Sequence, residues 1–152
     1  MLGLDANQRG HVLGSSHGRS RIIREAYYEA VEYVPLVQRA FVQWRELEEE
    51  TGLDLLLMTG CLNIGRPGTH VVDGVIASAR RHGLLSEVLP SDAMRSRFPA
   101  FALPESHVAV YQPTAGVLNA DACVGALVDA SVARSEEHTS ELQSRVDISY
   151  AV

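Results

Sequence analysis

The residues best suited to chemistry lie together in one short segment, Gly14 to Arg24. Its eight positions from His17 to Arg24 hold one histidine and three arginines, and a Gly/Ser turn precedes them. Glycine and serine let a backbone approach a ligand and supply donors, while arginine presents a planar fork that matches a carboxylate or phosphate. In a chain of net charge -6, the segment therefore predicts a local anion-binding site.

Whether the arginines act together depends on the backbone that carries them. If this stretch is extended, its two-residue period places Arg21 on one face and Arg24 on the other. A single ligand could then meet both only where the strand twists or bends. Ile22 and Ile23 predict burial of the two arginines, and a buried arginine needs an anionic partner, which a ligand could supply. The open alternative is an exposed loop whose arginines pair with acidic side chains of the same chain.

Composition excludes several classes of function. All thirteen basic residues are arginines, so Schiff-base and P-loop mechanisms have no lysine here. Nineteen acidic residues argue against nucleic acid or an anionic membrane as a partner. Cys61 and Cys123 fit no metal-ligand or disulfide spacing, so we expect no metal. Because no bilayer-length apolar run or signal pattern occurs, we expect a cytoplasmic protein.

Alternating helices and short strands surround this segment and favour an α/β or α+β fold. Apolar residues three to four apart predict one helix from Tyr33 to a C-cap at Gly52 and another from Thr69 to a stop at Gly83. We expect the acidic run 48–50 on the solvated face of the first helix.

Shorter elements complete the pattern. The apolar runs 55–58 and 61–64, on either side of Thr59-Gly60, fit either one bent strand or a tight pair. Residues 1–5 resemble the end of a buried strand. The remaining predicted elements are strands near 87–89 and 108–111, a helix capped by Ser91 and a helix after Asn119.

The C-terminal residues differ in character from the rest. Arg134 to Ser144 resembles, over eleven consecutive residues, the translation of a widely used sequencing-library adapter. We therefore expect evolved sequence to end at Ala133 and residues 134–152 to be a non-native tail. His138 is set aside as a catalytic candidate for this reason.

The GSSHGRSRIIR stretch, with later matches in order, resembles the monomeric sarcosine oxidase and N-methyltryptophan oxidase family. These are flavin-dependent amine oxidases of the D-amino-acid oxidase-like group, and the resemblance runs from about Leu2 to Ala133. The later matches are Ala26-Tyr27, Tyr33 to Leu36, Trp44, Thr59-Gly60, Gln112-Pro113 and Gly116 to Leu118.

The resemblance implies part of a two-domain, monomeric FAD enzyme. It assigns residues 1–32 to the Rossmann-like FAD-binding domain, 33–118 mostly to the substrate domain, and 119–133 to a helix that returns to the FAD domain. The family's glycine-rich GxGxxG turn and its downstream half have no counterpart here, so we expect about a third of a member's length.

It also implies roles for six residues. Arg24 would bind the substrate carboxylate, and a fixed positive charge from Arg21 would favour the reduced, anionic flavin. Arg21 and His17, beside the flavin ring, are the expected catalytic residues. The expected cofactor-binding residues are Asp5 at the adenosine ribose, Ser15, Ser16, His17 and Arg21.

The implied reaction oxidises the C–N bond of a secondary amino acid such as sarcosine, a small molecule. Its imine is hydrolysed, and oxygen is reduced to hydrogen peroxide. Because most of both domains lies outside the chain, we expect this fragment to be inactive. Two alternatives stay open: a small non-redox module that holds a carboxylate or phosphate with His17, Arg21 and Arg24, and one subunit of a split oxidase.

Overall fold

The computed structural model describes Asn7 and residues 10–134. Its chain forms two compact units, Ser20–Asn119 and a terminal unit that combines the residues before Ser20 with those after Asn119. The predictions for Asp5, for a strand at residues 1–5 and for the tail at 135–152 lie outside the described residues. The division into FAD-binding and substrate segments stays a prediction.

Six strands and four α-helices build the described chain. The strands are β1 (Ser20–Arg24), β2 (Leu56–Met58), β3 (Cys61–Gly65), β4 (Glu87–Pro90), β5 (Val108–Gln112) and β6 (Ala115–Asn119). The helices are α1 (Val34–Thr51), α2 (His70–His82), α3 (Ser91–Arg97) and α4 (Ala120–Ala133), and a short 3-10 helix, Val31–Tyr33, precedes α1.

The strands form two antiparallel three-stranded sheets, ordered β1-β6-β2 and β3-β5-β4. The first sheet carries the arginine segment, because β1 pairs along its whole length with β6. Both sheets belong to the unit Ser20–Asn119. The expected mixed α/β class is confirmed.

A bend joins the two sheets. Strands β2 and β3 continue through Thr59 and Gly60, while their partners β6 and β5 are joined through residues 113–114. The backbone N–H groups of Thr59 and Gly60 both donate to the carbonyl of Ala115, at 3.1 and 2.9 Å. Gly60 has a φ of 71°, and a Cβ there would lie 2.8 Å from the Tyr111 ring, so glycine is required. The tight-pair alternative is wrong, because β2 and β3 pair with β6 and β5 rather than with each other; the two runs are separate strands joined at this bend.

The helices follow the predicted spacing closely. Helix α1 ends at Gly52 and α2 at Gly83, each glycine in the left-handed conformation that completes a helix C-terminus. Helix α4 begins directly after Asn119. The predicted cap at Ser91 is wrong, since Ser91 is the first helical residue and Pro90 occupies the cap position.

Strand β5 is the centre of the second sheet and contributes to apolar cores on both faces. Val110 packs with Val72, Val75 and other residues of α2, and Ala109 packs with Met94 of α3. Because successive side chains of β5 point to opposite faces of the sheet, α2 and α3 lie on opposite sides of it. The same period puts Gln112, the last residue of β5, on the face of Val110.

Candidate functional site

Strand β1 presents its two arginines in different environments. Arg21 is exposed, and its Nη1 donates to the Ser20 carbonyl at 2.8 Å. Ile23 is buried, whereas Ile22 is 71% exposed. The prediction that flanking isoleucines bury both arginines is therefore wrong for Arg21.

Arg24, at the other end of β1, is largely buried, with 20% of its side chain exposed. Its Nη2 donates to Glu29 Oε1 at 2.6 Å. The guanidinium carbon lies 4.9 Å from the ring centre of Tyr27 and 5.0 Å from that of Tyr28, within cation–π range. Two aromatic rings and one carboxylate thus hold the guanidinium.

The Nε atom of Arg24 is buried and has no hydrogen-bond partner among the described residues. Buried donors in native proteins are nearly always paired, so an unpaired guanidinium N–H marks a place for an acceptor. A carboxylate suits it, because charge-assisted hydrogen bonds to guanidinium are strong and directional.

The pKa values of two acidic residues that follow Arg24, Glu25 and Glu29, are shifted in opposite directions. Burial acts to raise the pKa of Glu29, but its own backbone N–H, the Arg24 pair and the Tyr28 hydroxyl together lower it. Burial raises the pKa of Glu25, although hydrogen bonds from Gln38 and Thr114 act in the opposite direction. Glu29 is therefore the anionic partner of Arg24.

Cys61, at the start of β3, also lies within the electrostatic reach of Arg24. Burial raises the pKa of its thiol, and the positive charge of Arg24 acts against that rise. The neutral thiol is therefore the favoured form, so a thiolate nucleophile is not indicated.

The Gly/Ser turn belongs to the terminal unit. His17 Nδ1 donates to the Gly14 carbonyl at 2.5 Å, and the His17 backbone N–H reaches the same oxygen at 3.3 Å. In neutral His17 this bond leaves Nε2 as an acceptor. The side chains of Ser15, Ser16 and His17 are exposed.

Gly18 has a φ of 109°, so the backbone turns sharply after His17, and the hydroxyls of Ser15 and Ser16 in this turn can donate to phosphate or carbonyl oxygens. Among residues 7 and 10–134, no three His, Cys, Asp or Glu side chains gather in a metal-binding arrangement. No helix in that range is long and apolar enough to cross a bilayer.

Sequence reasoning placed Arg24 at this site but missed the carboxylate that holds it. The five-residue separation of Arg24 and Glu29 spans an irregular turn, for which no periodic pattern predicts contact. Of the two tyrosines, Tyr27 belongs to the family resemblance but had no predicted role, and Tyr28 was not singled out by the sequence.

A model of the FAD-dependent oxidoreductase family matches residues 2–137. The chain belongs to this family. N-methyl-L-tryptophan oxidase from Yersinia pestis (strain Pestoides F) is 36% identical over 130 residues, which are 86% of this chain and 35% of that protein. The chain thus spans about a third of the length of the curated relatives it matches. The predicted family is confirmed, and FAD is its cofactor.

Solved structures of this oxidoreductase group share the fold. A variant of NikD, described as an unusual amino acid oxidase essential for nikkomycin biosynthesis, matches with a TM-score of 0.67 at 21% identity, over 79% of this chain and 32% of that one. Glycine oxidase from Geobacillus kaustophilus matches with a TM-score of 0.53 at 23% identity, over 70% and 31%.

Proposed function

We propose that this chain is a segment of a longer FAD-dependent amine oxidase and contributes its carboxylate-binding arginine. The substrate would be a secondary amino acid such as sarcosine. Its C–N bond is oxidised to an imine while oxygen is reduced to hydrogen peroxide. Arg24 carries this proposal, since its largely buried guanidinium has an unpaired Nε.

Each residue in the proposal has a distinct task. Arg24 binds the substrate carboxylate and so positions the amino acid through the group that all amino acids share. Arg21 and His17 lie beside the flavin ring, Ser15 and Ser16 contact the cofactor, and Asp5 binds its ribose. FAD, when bound, supplies the hydride acceptor that the oxidation requires.

The chain of 152 residues is expected to be inactive by itself. It spans 35% of the length of its relative, and domains are stable by only about 5 to 15 kcal/mol, so losing most of two cores removes the binding site. The purified chain should show no yellow flavin absorbance and no peroxide formation from sarcosine. Stoichiometric FAD with turnover would refute this part of the proposal.

Recovery of the full gene tests the activity. The full-length protein should form peroxide from N-methyl amino acids in a linked assay, but not from matched amines that lack the carboxylate. Absence of turnover with every N-methyl amino acid, in a protein that contains FAD, would contradict the proposed substrate class.

Arg24→Met in that protein tests the carboxylate role. We expect KM for carboxylated amines to rise about 30-fold or more, because loss of a buried charged partner costs about 2 to 5 kcal/mol. Flavin content should be unchanged. Arg39→Met is the matched control, since Arg39 is exposed and its ion pair with Glu46 is long, at 3.7 Å.

A further inference from the structure

Gln112 is a buried polar residue at the end of β5, with only 2% of its surface exposed. Its side-chain oxygen accepts a hydrogen bond from the Ala26 backbone N–H at 3.1 Å, although 86 positions separate the two residues. Because that N–H can only donate, the bond fixes the amide orientation. The oxygen of Gln112 faces Ala26, and the NH2 group is left for another partner.

The Gln112 Nε2 atom is buried and has no hydrogen-bond partner within the described residues. The Nε atom of Arg24 is also buried and also has no hydrogen-bond partner within the described residues. An unsatisfied buried donor typically costs about 1 to 3 kcal/mol, so two of them indicate a missing acceptor. Two other such atoms in the described chain, Ser78 Oγ and His82 Nε2, belong to α2.

Two observations place Gln112 and Arg24 at one corner of the unit Ser20–Asn119. Gln112 binds the backbone two residues beyond Arg24, where the chain leaves β1. Cys61, the register partner of Gln112, lies within the electrostatic reach of Arg24. Because the hydrogen bond to Gln112 anchors the backbone at Ala26, it also limits how far Arg24 can move relative to Gln112.

We propose that Gln112 is a second residue of the carboxylate-binding site. Its oxygen holds the backbone after Arg24, and its Nε2 donates to a carboxylate oxygen of the ligand that Arg24 binds. The residue is neutral, so it leaves the charge of Arg24 for the ligand. This inference rests on the carboxylate site proposed above and adds a specificity residue to it.

The Q112E variant of the full-length protein separates the two roles of Gln112. Glutamate keeps an oxygen for the Ala26 N–H but replaces the NH2 donor with an acceptor. We expect binding of methoxyacetate, an ether analogue of sarcosine that has no amine to oxidise, to weaken about 10- to 100-fold, as for a hydrogen bond to a charged group. Binding of uncharged methoxyacetamide should change less than about threefold. Gln43→Glu, at an exposed position of α1, is the matched control for added charge.

Amide exchange at Ala26 measures the structural role separately. Exchange should stay slow in Q112E and accelerate in Q112M, which lacks both polar atoms. If Q112E does not fold, Q112M is used for the binding comparison, since it removes the donor without adding charge. The inference would be overturned if the variant used, Q112E or Q112M, folds and binds methoxyacetate as the wild type does. It would also be overturned if binding of methoxyacetate and of methoxyacetamide weakened equally.

These binding measurements distinguish failure of the inference from failure of the proposed function. A wild-type protein that binds methoxyacetate through Gln112 but oxidises no amino acid contradicts the proposed function and supports the inference. A protein that oxidises N-methyl amino acids with methoxyacetate binding unaffected by Q112E contradicts the inference alone. If wild-type protein binds no carboxylate, both are overturned.

Discussion

Arg24 forms its ion pair with a carboxylate of the same chain, and that pair affects any ligand at the site. Glu29 is 42% exposed, so its desolvation is incomplete and its interaction with Arg24 is screened by water. The pair therefore adds little to stability. The pair does reduce the net positive charge at Arg24, so at the proposed carboxylate site Glu29 would both orient the guanidinium and compete for it.

Neutralising Glu29 should strengthen carboxylate binding in the full-length protein. In Glu29→Gln the amide oxygen can still accept from Arg24 Nη2, while the competing negative charge is gone. At the separations and dielectric of a partly exposed site, this is worth about 1 kcal/mol, so KM for a carboxylated amine should fall roughly three- to tenfold. The effect should shrink with added salt.

Glu32→Gln is the control for this change, because Glu32 is an exposed acidic residue of the neighbouring 3-10 helix. A rise of KM in Glu29→Gln, with no change in Glu32→Gln, would mean that orientation of Arg24 outweighs competition.

At the scale of elements, Glu48 connects α1 to β2. Its Oε1 accepts hydrogen bonds from the backbone N–H groups of Leu55 and Leu56, at 2.8 and 2.7 Å, and its Oε2 pairs with Arg45 at 2.5 Å. Only 15% of the side chain is exposed. The expectation that the whole acidic run is solvated is wrong for Glu48, because the chain returns after Gly52 and brings two N–H groups to it.

Glu48→Ala should loosen the junction between α1 and β2. Two backbone donors of buried residues would lose their acceptor, at a cost of about 1 to 3 kcal/mol. Amide exchange of residues 53–58 should accelerate about 5- to 100-fold, measured by mass spectrometry on the full-length protein. Glu49→Ala, at an exposed position on the same helix, should leave exchange nearly unchanged; equal effects would contradict the role of Glu48.

The same junction should weaken in acid. Burial acts to raise the pKa of Glu48, but the Leu56 and Leu55 N–H groups and Arg45 together lower it. A carboxylate with a lowered pKa contributes stability above its ordinary value near 4.5 and loses it as the pH falls through the folded-state pKa. The intrinsic rate of amide exchange itself falls with pH here, so the wild type is compared with Glu48→Ala at each pH. The extra protection of residues 53–58 in the wild type should shrink as the pH falls through the folded-state pKa of Glu48, and a rate ratio between the two proteins that does not change with pH would contradict this.

Sequence reasoning recovered the helices better than the strands. Long apolar periods and two C-terminal glycines defined α1 and α2, because those signals are local. Strand β6 was missed, since it begins with Ala115 and Gly116, which are weak strand formers, and its pairing with β1 and β2 joins segments far apart in sequence. The exposure of Arg21 and the contact of Arg24 with Glu29 depend on that pairing and on the following turn. No local pattern encodes them.

At the scale of the whole molecule, one face of the first sheet carries a row of three apolar residues, of which the two outer ones are largely exposed. Ile22, Val117 and Leu57 are register partners across β1, β6 and β2, so their side chains lie side by side. Ile22 is 71% exposed and Leu57 67% exposed. A contiguous apolar row promotes association far more than isolated exposed residues do.

Removing this row should make the 152-residue chain less prone to associate. The double variant Ile22→Thr and Leu57→Thr places a β-branched residue at both strand positions while removing apolar surface, so it should bind less hydrophobic dye and remain soluble at higher concentration. The matched control replaces Leu36 and Leu85 with threonine. They are as exposed as the row but lie on α1 and in the loop after α2, apart from the sheet. If both double variants lowered dye binding equally, total exposed apolar area rather than the row would govern association.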